Sequence, residues 1–352
     1  MQAILGVFFH FLGGFASGSF YIPYKKVKGW AWESYWIVGG LFSWLIVPFV
    51  AALLTVPHFM DIIRHTDTLT LLWTYIMGLL WGIGGLTFGL SMRYLGMSLG
   101  MAVALGFCSA FGALIPPIYR NLFTTDTKDT FTAMLHTQSG LWILAGVVVC
   151  LLGILICGRA GMRKEKEVTD LEKKDSIQEF NLTKGLTVAT ISGILSACFN
   201  FGIEAGKSMA AEAVHQGANP LFQNNVVFII ILWGGLTTNF IWCMILNTRN
   251  KTFGDYGNKK TPLTRNYLFA ALAGTTWFLQ FFFYGMGESK LGNGASSWIL
   301  HMAFIIQISS MWGLTLGEWK GVSKVTYRVI VMGVLTILAS VMLVGYGNSL
   351  NA

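Results

Sequence analysis

Hydrophobic and polar positions along this 352-residue chain do not alternate; they fall into long apolar runs separated by short polar connections. The runs lie near 4–22, 35–56, 69–91, 97–118, 139–158, 185–205, 224–246, 266–287, 296–316 and 327–346. Each is long enough to cross a bilayer as a helix, for which roughly 20 residues are needed. A membrane barrel would show alternating segments of about ten residues, and an open sheet would leave backbone groups unsatisfied in lipid. The pattern predicts an all-α integral membrane protein with ten transmembrane helices.

Composition agrees. With 54% hydrophobic and only 11% charged residues, the chain cannot cover a water-facing globule, which needs about a quarter of its residues charged. The same apolar content excludes a disordered chain. The opening Met1-Gln2-Ala3-Ile4 has no basic region, and its run ends in Tyr24-Lys25-Lys26 rather than at a small-residue cleavage site. It reads as a retained first span, not a signal peptide. Cys108, Cys150, Cys157, Cys198 and Cys243 all fall within runs, at spacings that make neither a disulfide frame nor a metal set. No metal and no cofactor is expected.

Charge orients the spans. The connections after spans 1, 3, 5, 7 and 9 hold 19 of the 24 Lys and Arg residues, including Lys25, Lys26 and Lys28 in the first and Arg159 to Lys184 in the fifth. The positive-inside rule puts these connections in the cytoplasm and both termini outside. The net charge of +8 is then a topology signal, with no implication of nucleic acid.

The chain also repeats itself. Laying residue 14 on 193 pairs Gly14, Ser17, Gly18 and Phe20 with Gly193, Ser196, Ala197 and Phe199. Laying 81 on 277 pairs Trp81, Phe88, Gly89 and Leu95 with Trp277, Tyr284, Gly285 and Leu291. The expected division is a five-helix repeat over 1–158, a cytoplasmic linker over 159–184 and a second five-helix repeat over 185–352. Five is odd, so the second copy is inverted, as in secondary transporters whose substrate sits at midplane between the copies. Small residues also line any membrane helix contact, but that does not account for the matched mid-span tryptophans.

Ionised side chains are nearly absent from the middle of the runs, where they are costly and usually functional. A neutral substrate fits this better than an ion. Residues three, four and seven apart share a helix face, so Trp277, Gln280 and Tyr284 form one stripe, His10, Gly14, Ser17 and Tyr21 another, and Ser196, Asn200, Glu204 and Lys207 a third. Aromatic faces can cover the C–H surfaces of a sugar while amides and hydroxyls fix its orientation. Trp81, Asn200, Trp277, Gln280, Tyr284 and Tyr21 are the candidate substrate-binding residues. Each has a plainer reading: Gln280 and Asn200 as bridges between helices, Trp277 and Tyr284 as core. Glu33 either pairs with a nearby lysine or ends its loop, and Glu204 with Lys207 reads as an exposed ion pair.

A neutral solute is concentrated only with a coupled ion. His10 and His301 lie well inside spans, and their ordinary pKa, about 6.5, suits proton coupling. The chain has no Gly-x-x-x-x-Gly-Lys-Ser/Thr loop for ATP and no catalytic group set, so an enzyme is not expected.

Several strings resemble the bacterial L-rhamnose/proton symporters of the drug/metabolite transporter superfamily. They are His10 followed by Phe20-Tyr21-Ile22-Pro23-Tyr24-Lys25-Lys26-Val27-Lys28, then Trp30-Ala31-Trp32-Glu33, Trp81-Gly82-Ile83-Gly84, and Met92-Arg93-Tyr94-Leu95-Gly96-Met97-Ser98. Leu279-Gln280-Phe281-Phe282-Phe283-Tyr284, Ser297-Trp298-Ile299-Leu300-His301-Met302 and Glu318-Trp319 continue the resemblance. It implies two inverted five-helix halves and proton-driven uptake of L-rhamnose or a related deoxyhexose across the bacterial inner membrane by alternating access. Because the halves are fused, a monomer suffices. A drug or metabolite exporter of the same superfamily is the alternative.

Overall fold

The computed structural model describes residues 2–123, 130–167, 181–291 and 294–350. Among these the chain is helical, with no strand. The long helices are α1 (Gln2–Ser19), α2 (Trp32–Leu41, a π-helical turn Phe42–Ile46, and Val47–Thr55), α3 (Thr68–Leu95), α4 (Met97–Phe123) and α5 (Gln138–Glu167). They continue as α6 (Leu182–Ser196, then Cys198–Ala205), α7 (Asn225–Asn250), α8 (Leu263–Leu291), α9 (Gly294–Thr315) and α10 (Lys324–Ser349). Nine segments among the described residues are long and apolar enough to cross a membrane. In α4 the apolar stretch so described is the shorter Ala102–Gly112.

Large apolar side chains point outward along these helices, Leu54 being 77% and Met342 76% exposed. That arrangement would be costly in water and is natural in lipid, where helices satisfy their own backbone hydrogen bonds. The chain is a multi-pass membrane protein. The helices outrun the apolar runs at several ends. The eighth run, read as 266–287, is a helix over Leu263–Leu291, and α5 continues nine residues past 158 to Glu167. Residues 168–180 of the expected linker lie outside the described residues. At its far side Asn181 accepts a hydrogen bond from the Lys184 amide and so caps α6.

Contacts divide the chain into two compact units, each drawing one segment from either half of the sequence. The first holds Met1–Gly85 and Cys198–Lys290. In it α2 and α8 meet backbone to backbone, for a Cβ built at Gly274 would run into the carbonyl oxygen of Gly39. The π turn in α2 ends two residues before Pro48, which has no N–H for the helical ladder. Asn239, buried in α7, accepts from the Trp36 indole at 2.9 Å and donates to the carbonyls of Gly82 and Gly235, tying three helices together.

The second unit holds Leu86–Ala197 and Leu291–Ala352. Its core gathers Ala110, Met134, Ile143, Val147, Ile299, Ala303 and Val344. At the end of α5 the buried Lys164 donates to the Glu318 carbonyl and lies over the Trp319 ring, 4.9 Å from its centroid. All five cysteines are buried, and none of them forms a disulfide among the described residues.

Candidate transport site

The first unit contains a cluster of aromatic rings centred on Trp277 of α8. Phe20 stacks on it at 4.7 Å between centroids, and Trp36, Trp44 and Trp81 approach at 5.3, 5.6 and 6.3 Å. These tilted and offset geometries are the favoured ones for π systems. One further turn along α8, Phe281 stacks on Phe199 at 4.3 Å and meets Trp81 edge-on at 5.6 Å. The cluster therefore joins α2, α3, α6, α8 and the residue that follows α1 within that unit.

Of the residues the sequence singles out, Trp81, Trp277, Gln280, Tyr284, Tyr21, Asn200 and His10 all belong to this unit. Trp81, Trp277, Gln280 and Tyr284 are buried, whereas Tyr21 and Asn200 are half-buried. Tyr21 leans edge-on against Phe20 and Tyr24, at 5.7 and 5.8 Å. Gln280 is 4% exposed, and its amide nitrogen has no hydrogen-bond partner among the described residues. A buried donor left without a partner costs about 1 to 3 kcal/mol.

His10, wholly buried in α1, meets Tyr284 in a T-shaped contact at 5.5 Å. The backbone of α8 leaves room for it at Gly287, where an added Cβ would fall 2.6 Å from the His10 Nε2. His301 is also buried, but it lies on α9 in the second unit. The two histidines thus belong to separate units, and within the first unit His10 is packed against the α8 stripe.

A model of the L-rhamnose-proton symport protein family matches residues 1–350. The chain belongs to that family. It is 38% identical over 349 residues to a protein of Yersinia pestis (strain Pestoides F) named L-rhamnose-proton symporter, with 98% of each chain covered. A protein of the same name from Klebsiella pneumoniae (strain 342) is 36% identical over 348 residues, covering 97% of each. The family is one of transporters, not of enzymes.

Within this family member the structure reveals a group that the sequence reading passed over. With α8 extending to Leu291, the stripe of Trp277, Gln280 and Tyr284 gains Glu288 one turn on. The side chain of Asn224, itself 5% exposed, donates to a carboxylate oxygen of Glu288 at 2.6 Å. The spacing Tyr284 to Glu288 was visible in the sequence; the apolar run ending at 287 hid it.

Glu33 does not pair with a lysine through any hydrogen bond described here. It accepts from the Asn250 amide at 2.9 Å and the Thr252 hydroxyl at 2.8 Å, while Asp255 accepts from the Ala31 amide and the Ser34 hydroxyl, both at 2.8 Å. These bonds fasten the first turn of α2 to the connection after α7. Glu204 and Lys207 form the expected ion pair, at 2.8 Å, with both side chains largely exposed.

Proposed function

We propose that this protein takes up L-rhamnose, or a closely related neutral deoxyhexose, together with a proton across the bacterial inner membrane. The family match over nearly the whole chain supports this reading and favours it over an exporter of drugs or metabolites. The observation that carries the site is Gln280, a buried amide whose nitrogen has no hydrogen-bond partner among the described residues, on one helix face with Trp277 and Tyr284. Rings cover the apolar faces and the methyl group of a 6-deoxy sugar, and Gln280 meets a hydroxyl; Tyr21 and Asn200 complete the polar set.

The proposed machine is a monomer of ten helices in two inverted five-helix repeats, 1–158 and 185–352, joined by the cytoplasmic linker and working by alternating access. Both termini face outward, as the lysine and arginine bias requires. His10, His301 or both take part in proton coupling, and His10 lies against Tyr284 of the sugar stripe.

The test is calorimetric binding of neutral hexoses and 6-deoxyhexoses to the purified protein, with an aromatic cation as the exporter-type ligand. L-Rhamnose is expected to bind and Gln280→Ala to weaken it by about 1 to 3 kcal/mol, the cost of an unpaired hydroxyl. Binding of the cation in preference to every sugar would overturn the reading.

A further inference from the structure

Glu288 is the acidic side chain on the same helical stripe as the proposed sugar contacts, and nothing in the binding of a neutral sugar requires a carboxyl group there. Gly287 abuts His10, so Glu288, half-buried and three residues before the end of α8, sits near the level of His10, about two turns in from the N-terminal end of α1. Ionisable groups on membrane-spanning helices are expensive and are kept for ion pathways or relays.

Its surroundings suit a group that alternates between charged and neutral forms. Asn224, the residue before the start of α7, gives its amide to the carboxylate and would serve equally as a partner for the neutral acid, by its N–H or by its carbonyl. On α8 itself Tyr284 lies one turn away, and from α1 His10 lies against Tyr284. The charges of Glu204, in the last turn of α6, and of Lys207, just beyond it, also act on Glu288. That pair is largely exposed, with the Lys207 side chain at 67%, which puts Glu288 within electrostatic reach of water-accessible charge.

The internal repeat sharpens the point. The offset that lays 81 on 277 puts Met92 opposite Glu288, and the offset that lays 14 on 193 puts Ala189 opposite His10. Tryptophans recur in both copies, whereas these two titratable groups do not. The aromatic wall is duplicated and the acid is single.

We propose that Glu288, held by Asn224 and flanked by Tyr284 and His10, is the binding site of the proton that accompanies the sugar. This rests on the reading of the protein as a sugar/proton symporter. The step is a simple transfer: the carboxylate takes H⁺ from hydronium, leaving water, and returns it to water on the other side. Protonation removes the charge that otherwise penalises the low-dielectric interior during reorientation. Sugar contacts and acid share one rigid helix face, so occupancy of the sugar site and the state of the acid are felt by the same element.

The experiment uses the full chain in proteoliposomes and reads two quantities: exchange of labelled L-rhamnose across the membrane at equal concentrations, and external alkalinisation on adding L-rhamnose. Glu288→Gln is expected to abolish the alkalinisation and uphill accumulation while exchange persists. Glu288→Asp, which keeps an acid, should restore part of both. Alkalinisation by Glu288→Gln equal to the parent overturns the proposal. If the parent itself neither binds nor moves L-rhamnose, the symporter reading falls and takes this one with it. Should Glu288→Gln fail to fold, Asn224→Leu is read instead. The pH profile of coupled uptake then moves if Glu288 holds the proton, and an unmoved profile overturns the proposal.

Discussion

The indole rings of Trp81 and Trp277 lie 6.3 Å apart, tilted at 55°. They are the residues that the repeat offset lays on each other. Positions related by a two-fold axis are separated by twice their distance from it, so under an inverted-repeat architecture both rings lie close to the axis. Transporters of that architecture place substrate near where their repeats meet. Contact between the matched tryptophans therefore supports putting the sugar beside them.

Trp277 can be tested as wall or as filler. Trp277→Ala removes the centre of the ring cluster and is expected to cost about 3 to 5 kcal/mol of stability, as large aromatic truncations do. Trp277→Phe keeps a ring stacked on Phe20, and thermal unfolding should stay near that of the parent while L-rhamnose binding weakens several-fold. Unchanged affinity in the Phe variant would assign Trp277 to packing.

Gly274 tests the close approach of α2 and α8. A side chain there meets the Gly39 carbonyl, backbone rather than a movable side-chain tip. Gly274→Ala is expected to destabilise the protein by about 1 to 3 kcal/mol, the usual cost of overpacking, and to lower its unfolding temperature. Gly158→Ala, with no neighbour near the added carbon, is the control and should not.

How far the sequence could be read follows from the range of each interaction. The α8 stripe rests on spacings of three, four and seven and was legible. So was the Glu204–Lys207 pair, three residues apart. Glu288 was missed because hydropathy marks where apolar residues stop, whereas the helix continues to Leu291, and the partner that holds the acid, Asn224, is 64 positions away. Glu33 finds Asn250 and Thr252 more than 200 positions away; no local pattern could reveal them. The π turn of α2 had only Pro48 as a signal, and a proline does not say how a helix will absorb it.

Glu167 supplies a pH prediction outside the membrane. The Thr326 hydroxyl and the Ser323 amide donate to its carboxylate, and with nearby Arg163 they hold its pKa below the ordinary 4.5. A lowered folded value means that this link between α5 and α10 is fully present above the ordinary value and is lost as pH falls through the lowered one. Hydrogen exchange at the start of α10 should rise in strong acid. Thr326→Val should bring the Glu167 titration back toward 4.5, and an unmoved titration would show that the hydroxyl does not hold it.

Topology can be read by labelling. If the basic connections lie inside, a cysteine in place of Lys259, exposed between α7 and α8, should resist an impermeant external thiol reagent in intact cells. One in place of Leu350 should react. The reverse pattern would invert the orientation and move the proton entrance to the other face.

His10 and Gly287 make a pair whose coupling can be measured directly. Three atoms of the imidazole lie 2.6 to 2.8 Å from where a Cβ on Gly287 would stand, so Gly287→Ala must push the ring from its place against Tyr284. Gln280 is seven residues away on α8, and its open amide is not touched by that displacement. L-Rhamnose affinity should therefore change little, while the protons moved per sugar fall. His10→Gln should lower the same ratio by removing the titratable ring. If both variants act through the position of His10, the double variant should be no worse than His10→Gln alone, the non-additivity expected of residues in contact. Strictly additive losses would mean that Gly287 serves the helix contact and not the histidine, and would leave His10 without a part in coupling through α8.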